Sequence, residues 1–183
     1  MWCSSRWCID KIRTLALGLI FSTVQALAHP QLPGSRLQGE ATMRYFGLRI
    51  YHAKLWTLPE FRTTHPTEQP LVLELEYLRD LKGNAIAQRS LEEMRRAGKF
   101  TEAQGQRWLN DMQRIFPDVK KGDRISGQHA PGKGVRFWHN NQPAGQIEDA
   151  EFARQFFDIW LAPTTSDPGM RLALLGHTES RPH

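Results

Sequence analysis

Residues 71–78 alternate between apolar and acidic side chains, and this alternation limits the fold more than any other feature of the chain. The apolar residues fall on one face of an extended strand and the acids on the other, with Leu71, Leu73, Leu75 and Tyr77 set against Glu74 and Glu76. A strand with one buried face and one wet face is typical of an antiparallel sheet that is covered on one side only. The sequence therefore predicts such a sheet.

Further extended segments lie on both sides of this strand. Residues 37–57 have the pattern of two strands with a turn or bulge at Gly47. After Gly122, three short strands are predicted at residues 123–127, 135–139 and 145–147. The connectors between these strands are rich in Gly, Asn and Pro, which is typical of hairpin turns.

Two helical patterns follow the strand at 71–78. Ser90 and Glu93 match a capping box, which predicts a helix start or a new turn, and Gly98 ends the segment. A second capping box at residues 101–104 precedes an apolar stripe at helical spacing, and Pro117 stops this stripe.

The last strand is also followed by helical patterns. Asp149 is expected to cap a third helix, and residues 166–168 open a short final one. The order of strands, helices, strands and helices predicts an α+β domain in which helices pack on one face of an antiparallel sheet.

The first 28 residues have the layout of a secretory signal peptide. Basic residues near the start are followed by a short apolar run at 15–21 and by small residues at Ala26 and Ala28. This layout predicts cleavage between Ala28 and His29 rather than a retained anchor, because a membrane span needs about 20 apolar residues. The predicted organisation is a signal peptide at 1–28, a flexible lead-in at 29–36, one domain at 37–176 and a tail at 177–183, in a periplasmic or secreted protein.

Composition and motifs exclude several kinds of chemistry. Both cysteines, Cys3 and Cys8, lie in the predicted signal peptide, so the exported domain has no disulfide, thiolate nucleophile or Cys-based metal site. The seven histidines form no H-x-x-H or H-x-x-x-H pair, and the chain has no G-x-S-x-G, Walker or G-x-G-x-x-G motif. The net charge of +5 comes from basic residues scattered among acids, which indicates a solvated surface. No metal, cofactor or nucleic-acid partner is expected.

Five segments carry a specific combination of residues in a specific order. They are residues 39–56 (GEATMRYFGLRIYHAKLW), 86–94 (IAQRSLEEM), 116–119 (FPDV) with Gly122 and Asp123, 137–145 (FWHNNQPAG) and 152–161 (FARQFFDIWL). Taken together, over about residues 37–175, they resemble the bacterial branch of the chalcone isomerase-like family. The resemblance implies an open-faced β-sandwich, in which a large antiparallel sheet carries helices on one face with a cleft between them.

The resemblance also places the functional positions of the family on this chain. Plant chalcone isomerases close a ring by attack of a phenolate oxygen on an enone, and an arginine on the first long strands steadies the developing negative charge. That position falls at Ala41, which cannot supply a guanidinium, and the family's water-positioning threonine aligns near Tyr51. Arg44 points to the opposite face of the strand from Ala41 unless a bulge re-aims it. No catalytic residue is therefore assigned.

These considerations favour a binding protein over an enzyme. We expect an exported, non-catalytic protein that holds a small apolar or amphipathic, fatty-acid-like ligand in the cleft between sheet and helices, as fatty-acid-binding relatives in the same superfamily imply. The residues expected to line this cleft are Arg44, Tyr51, Tyr77, Met94 and Trp160, with Arg44 as the partner of a ligand carboxylate. An arginine that reaches the cleft beside Tyr51 from elsewhere in the chain would instead favour an enzyme.

Two alternatives stay open. The domain could be an isomerase or lyase that acts on an enone-type substrate with a constellation different from that of the family. It could also be an envelope interaction protein without a small ligand, for which an exposed aromatic patch is expected. The sequence leaves the oligomeric state open.

Overall fold

The computed structural model describes residues 28–177. In chain order its strands and helices are β1 (Arg36–Tyr45), β2 (Leu48–Thr57), β3 (Leu71–Tyr77), α1 (Gly83–Ala97), α2 (Glu102–Ile115), β4 (Arg124–Ala130), β5 (Gly134–His139), β6 (Gln142–Ile147), α3 (Ala150–Leu161) and α4 (Pro168–Leu174). The predicted signal peptide and tail lie outside the described residues, apart from Ala28 and His177 at their boundaries.

Within residues 28–177 the strands form one six-stranded antiparallel sheet in the order β1-β2-β3-β4-β5-β6. Each strand pairs with the next one along the chain, and α1 and α2 are inserted between the paired strands β3 and β4. Tight hairpins join β1 to β2, β4 to β5 and β5 to β6, and the longer connections also return to the neighbouring strand, which is the common arrangement in antiparallel sheets. The predicted antiparallel sheet is confirmed.

The hydrophobic core lies between one face of this sheet and the helices. The alternate residues predicted to face inward on β3 are buried there, together with Ala53 and Leu55 on β2. Helix α3 buries the aromatic residues Phe152, Phe156 and Phe157 against them. Full burial of one such side chain stabilises the fold by about 1.5–3 kcal/mol, so these rings contribute several kcal/mol to the packing of α3 on the sheet. The α+β class and the open-faced arrangement are confirmed.

The predicted hairpin turns follow from backbone conformation. Phe46 and Gly47 join β1 to β2 with φ angles of 47° and 77°, and Asn140 and Asn141 join β5 to β6 with φ angles of 48° and 66°. Two successive left-handed residues give the tight turn whose twist matches that of the flanking strands. Asn and Gly tolerate this conformation, whereas Phe46 occupies it at a cost.

Helix α1 begins at Gly83, well before the capping box predicted at Ser90. Ser90 lies inside the helix, where its Oγ donates a hydrogen bond of 2.9 Å to the carbonyl oxygen of Ile86. The acceptor at the true start is the Asp118 side chain, which lies 3.0 Å from the Gly83 amide nitrogen. The predicted start was therefore wrong, because the cap comes from a distant part of the chain. The helix end at Gly98 is confirmed.

The other predicted helix caps are confirmed. Thr101 and Gln104 form a reciprocal capping box at the start of α2. The Asp149 side chain accepts hydrogen bonds from two backbone amides at the start of α3, and Asp167 accepts one from Met170 at the start of α4. Each of these caps contributes about 1 kcal/mol and fixes where a helix enters the layer.

Residues 29–36 were expected to be a flexible lead-in, but His29, Leu32 and Ser35 are buried, and β1 already begins at Arg36. His29 is buried, its amide nitrogen lies 3.0 Å from Ser35 Oγ, and its Nε2 lies 3.5 Å from Glu74 Oε2. The imidazole beside Glu74 holds the pKa of that carboxyl below its usual range. The outer face of β3 is therefore covered at Glu74 by the segment that precedes β1.

Candidate binding cavity

A cavity of about 300 Å³ lies between the inner face of the sheet and the helices α1, α3 and α4. Most of its wall is apolar, and a smaller polar part comes from α1 and from the segment before α4. Its residues include Met43, Tyr45, Ile50, Tyr51, Leu75, Tyr77 and Ile125 from the sheet, and Ile86, Arg89, Ser90, Glu93, Phe156, Trp160, Asp167 and Met170 from the helical layer. The volume is at the lower end of the range for small-molecule sites.

Two tyrosines stand side by side on the sheet wall. Tyr51 of β2 and Tyr77 of β3 are direct cross-strand partners, and their rings meet edge to face with centroids 6.1 Å apart. The indole Nε1 of Trp160 donates a hydrogen bond of 2.9 Å to the Tyr51 hydroxyl oxygen. Because that oxygen accepts from Trp160, the Tyr51 hydroxyl keeps its own proton available for another acceptor.

Burial keeps both phenols neutral. Desolvation raises the pKa of Tyr51 to about 12, against the lowering effect of the hydrogen bond from Trp160. Desolvation also raises the pKa of Tyr77 well above its ordinary value. Among residues 28–177 no hydrogen bond to the Tyr77 hydroxyl opposes this rise. The wall therefore presents uncharged hydrogen-bond donors within an otherwise apolar surface.

The only described arginine in the wall, Arg89, is held by acids of its own helix. Its guanidinium forms an ion pair with Glu93 and lies 3.6 Å from Glu92 Oε2. The Ser166 hydroxyl donates a hydrogen bond of 2.8 Å to the second oxygen of Glu93. Glu93 is buried, so it depends on Arg89 for charge compensation. Arg89 also lies over the Tyr45 ring, 5.4 Å from its centroid, on the solvent side of the cavity.

The structure brings together three of the five residues predicted to line the cleft. Tyr51, Tyr77 and Trp160 lie in the wall of the cavity. Arg44 does not, since it is exposed on β1, and the register irregularity between Met43 and Arg44 leaves it facing solvent.

Met94 is also absent from the wall. It follows Glu93 on α1 and is fully buried in the core, where it packs rather than binds. Ala41, the position of the family's arginine, is paired with Ala53 and lies outside the wall as well.

The sequence reasoning missed Arg89 and Ser166. Arg89 and Glu93 are four residues apart on α1, and this spacing is a recognisable signal for an ion pair on one helix face. Nothing in the sequence indicates that this face turns toward the sheet beside Tyr51, because the rotation of α1 over the sheet depends on long-range packing. Ser166 approaches Glu93 from a connector that is distant in the chain.

The antiparallel sheet with helices over one face is an open-faced β-sandwich, and the cavity lies between its two layers. A family model described as chalcone isomerase-like matches residues 27–176, so the chain belongs to the chalcone isomerase-like family. It is 29% identical to an uncharacterized protein of Haemophilus influenzae over 171 residues, which covers 93% of this chain and 80% of that protein. The crystal structure of a fatty-acid binding protein from Arabidopsis thaliana has the same fold, with a TM-score of 0.63 and 12% identity over 82% of this chain and 95% of that one.

Between residues 28 and 177, no helix combines the length and the apolar character that crossing a membrane requires.

Proposed function

We propose that this protein binds a small amphipathic, fatty-acid-like molecule in the cavity between sheet and helices, without transforming it. One observation carries the proposal: between sheet and helices lies a partly open cavity of about 300 Å³ with a mostly apolar wall that also offers neutral phenol donors. Such a site desolvates an apolar chain and orients one polar end, which is the usual composition of a small-molecule pocket. The Arabidopsis neighbour of the same fold, a fatty-acid binding protein, supports this class of ligand.

The polar end of the ligand belongs beside Tyr51 and Tyr77. The phenols donate hydrogen bonds without a charge, so they suit a carbonyl or carboxyl oxygen. Arg89 adds a cation at the solvent side, but Glu93 compensates it. A ligand that displaced Glu93 from Arg89 would leave a buried carboxylate unpaired, so the acyl chain contributes most of the binding energy.

Displacement of a fluorescent fatty acid tests the proposal. Ala85 lines the cavity and is exposed at its edge, so Ala85→Trp is expected to fill the opening without disturbing the core. Ala103 is exposed on α2 away from the cavity, and Ala103→Trp is the matched control. We expect binding in the micromolar range, at least tenfold weaker in Ala85→Trp and unchanged in Ala103→Trp. Absence of binding by the wild type, or equal binding by both variants, refutes the proposal.

A second function, isomerisation or lyase chemistry on an enone-type substrate, is favoured by one observation. Arg89 reaches the cavity from α1, although the family's arginine position is Ala41. Its ion pair with Glu93 weakens this candidate, because a preorganised charge must be free to meet a developing oxyanion. Chalcone cyclisation above background that falls a hundredfold or more in Arg89→Gln would place the enzyme first. Turnover at background leaves binding as the function.

We also propose that the protein acts outside the cytoplasm, in the periplasm or beyond. The support is the sequence pattern at residues 1–28, with its basic start, short apolar run and small residues before His29. Mass spectrometry of the protein recovered from the periplasmic fraction of its host is expected to give His29 as the first residue. A protein that starts at Met1 and stays with the cytoplasmic fraction would contradict the proposal.

A further inference from the structure

The tip of the β1–β2 hairpin exposes a group of large apolar side chains. Phe46 is 87% exposed, Leu48 53% and Tyr45 49%. Within residues 28–177, one other large apolar side chain is exposed, that of Leu37 at the opposite end of β1. Contiguous exposed apolar surface on a soluble domain marks an interaction site.

Phe46 does not serve the fold in this position. Its φ angle of 47° is one that Gly or Asn adopts more easily, and its ring contacts Tyr45 at the same tip, with centroids 4.6 Å apart. Backbone strain at a residue whose side chain is exposed does not stabilise the domain, and it indicates that the side chain contacts a binding partner.

The same tip carries an unbalanced positive charge. Arg44 and Arg49 are exposed cross-strand partners, and residues 43–50 contain no acid. Neither arginine forms an ion pair within residues 28–177. Like charges opposite each other on neighbouring strands destabilise the pair, and an external anion between or beside them removes this cost.

The hairpin tip also adjoins the cavity. Met43, Tyr45 and Ile50, at the base of the tip, are part of the cavity wall. A surface that covers the tip therefore lies next to the side of the cavity where Arg89 meets solvent.

From these observations we infer that the hairpin tip docks on an anionic phospholipid surface. Phe46 and Leu48 enter the boundary between headgroups and acyl chains, Tyr45 lies at headgroup level, and Arg44 and Arg49 bind lipid phosphates. Aromatic and apolar side chains flanked by arginines are the composition that partitions into this boundary. The cavity then opens beside the lipid, and a lipophilic ligand passes between the two with little contact with water.

A lipid surface fits these features better than a protein partner. The patch is one hairpin tip, its charge is of one sign, and its most exposed apolar side chains lie between the two arginines within eight residues. A bilayer offers phosphate and hydrocarbon at adjacent depths to a tip of this size. A stable protein interface buries about 800 Å² on each partner, and one hairpin tip supplies only part of such an area.

Vesicle co-sedimentation of the exported protein tests the inference. The probes are vesicles of phosphatidylglycerol mixed with phosphatidylcholine, and vesicles of phosphatidylcholine alone. Phe46→Asn removes the ring and introduces a residue that tolerates the left-handed backbone of the turn. The double variant Arg44→Gln with Arg49→Gln removes the positive charge. Leu37→Gln and Arg136→Gln are matched controls, since one removes an exposed apolar side chain and the other an exposed arginine elsewhere on the sheet.

We expect binding to the anionic vesicles that weakens with added salt. Phe46→Asn is expected to weaken it about tenfold, and the double arginine variant more than tenfold, at about fivefold for each charge. The two controls are expected to match the wild type. Failure of the wild type to bind anionic vesicles, equal binding to neutral vesicles, or full binding by Phe46→Asn would each overturn the inference. The first of these results would point to a protein partner at the tip.

The outcome is separable from that of the proposed function. Ala85→Trp is expected to bind vesicles normally, because it blocks the cavity and leaves the tip intact. Phe46→Asn is expected to bind the fluorescent fatty acid normally in vesicle-free solution, because Phe46 lies outside the cavity wall. If Phe46→Asn lost both properties while its circular dichroism stayed native, tip and cavity would not be separate sites, and the inference would fail.

Discussion

Replacing Tyr51 or Tyr77 by phenylalanine separates stability from ligand binding at two adjacent positions. Each change removes one hydroxyl and keeps the ring. In Tyr51→Phe the indole N–H of Trp160 loses its acceptor, which lies 2.9 Å away in the native protein. Trp160 is only 6% exposed, so water does not fully replace that acceptor. A buried donor left unpaired costs about 1–3 kcal/mol.

In Tyr77→Phe no partner within the described residues is left unpaired, because no hydrogen bond among them acts on the Tyr77 hydroxyl. A change of 1 kcal/mol moves Tm by about 2–4 °C in a domain of about 150 residues. At about 2 kcal/mol, the middle of that range, Tyr51→Phe is expected to lower Tm by roughly 4–8 °C. Tyr77→Phe is expected to leave Tm within about 2 °C of the wild type. Differential scanning calorimetry of ligand-free protein measures both shifts.

Ligand binding is expected to respond differently. Both variants lose one neutral donor to the polar end of the ligand, which weakens binding of the fluorescent fatty acid by about two- to tenfold. Tyr77→Phe should thus lose affinity at unchanged Tm. If Tyr77→Phe lowered Tm as much as Tyr51→Phe, the Tyr77 hydroxyl would have to form a stabilising hydrogen bond within the folded protein. The argument that it serves a ligand would then be refuted.

Three further outcomes follow from the same contacts. The folded chain retains the phenol protons of Tyr51 and Tyr77 that the unfolded chain releases near pH 10. Stability is therefore full below that pH and falls as pH rises above it, by up to about 1.4 kcal/mol per pH unit for each phenol, and the contribution of Tyr51 is lost as pH passes about 12. The free energy of unfolding in urea should fall less steeply with pH in Tyr77→Phe than in the wild type. Arg89→Gln should lose about 1–3 kcal/mol by leaving Glu93 uncompensated, and adding Glu93→Gln should restore part of it; a double variant less stable than Arg89→Gln would contradict the ion pair. Gly39→Ala should cost about 1–3 kcal/mol, because its Cβ would overlap carbonyl oxygens of α4, and a neutral effect on Tm would mean that α4 moves freely from β1.

The sheet could be predicted because its evidence is local. The alternation on β3 and the turns at Gly47 and Asn140 are contained in a few consecutive residues, and the structure places strands and turns there. The caps at Thr101 and Asp149 are equally local. The start of α1 has no such local signal, because its cap is the distant residue Asp118. The serine pattern at Ser90, which can mark a helix start, lies here inside the helix.

The candidate site could be predicted only in part for the same reason. Tyr51 and Tyr77 lie on the inward face of strands whose alternation is visible in the sequence, and Trp160 lies on the apolar face of α3. Arg89 reaches the cavity only because α1 packs in one particular rotation over the sheet. That rotation is set by long-range packing, which no short pattern records.

The burial of His29 has a consequence for the order of events in the export that we propose. The proposed cleavage site directly precedes a residue that is packed under Ser35 and against Glu74, so no spacer separates the scissile bond from folded structure. Proteases act on chain that is locally open, and a peptidase must reach this bond before the first turn settles on the sheet. If export proceeds as proposed, cleavage after Ala28 has to come before residues 29–35 pack on the sheet, because slower cleavage would leave a folded domain with its signal peptide still attached.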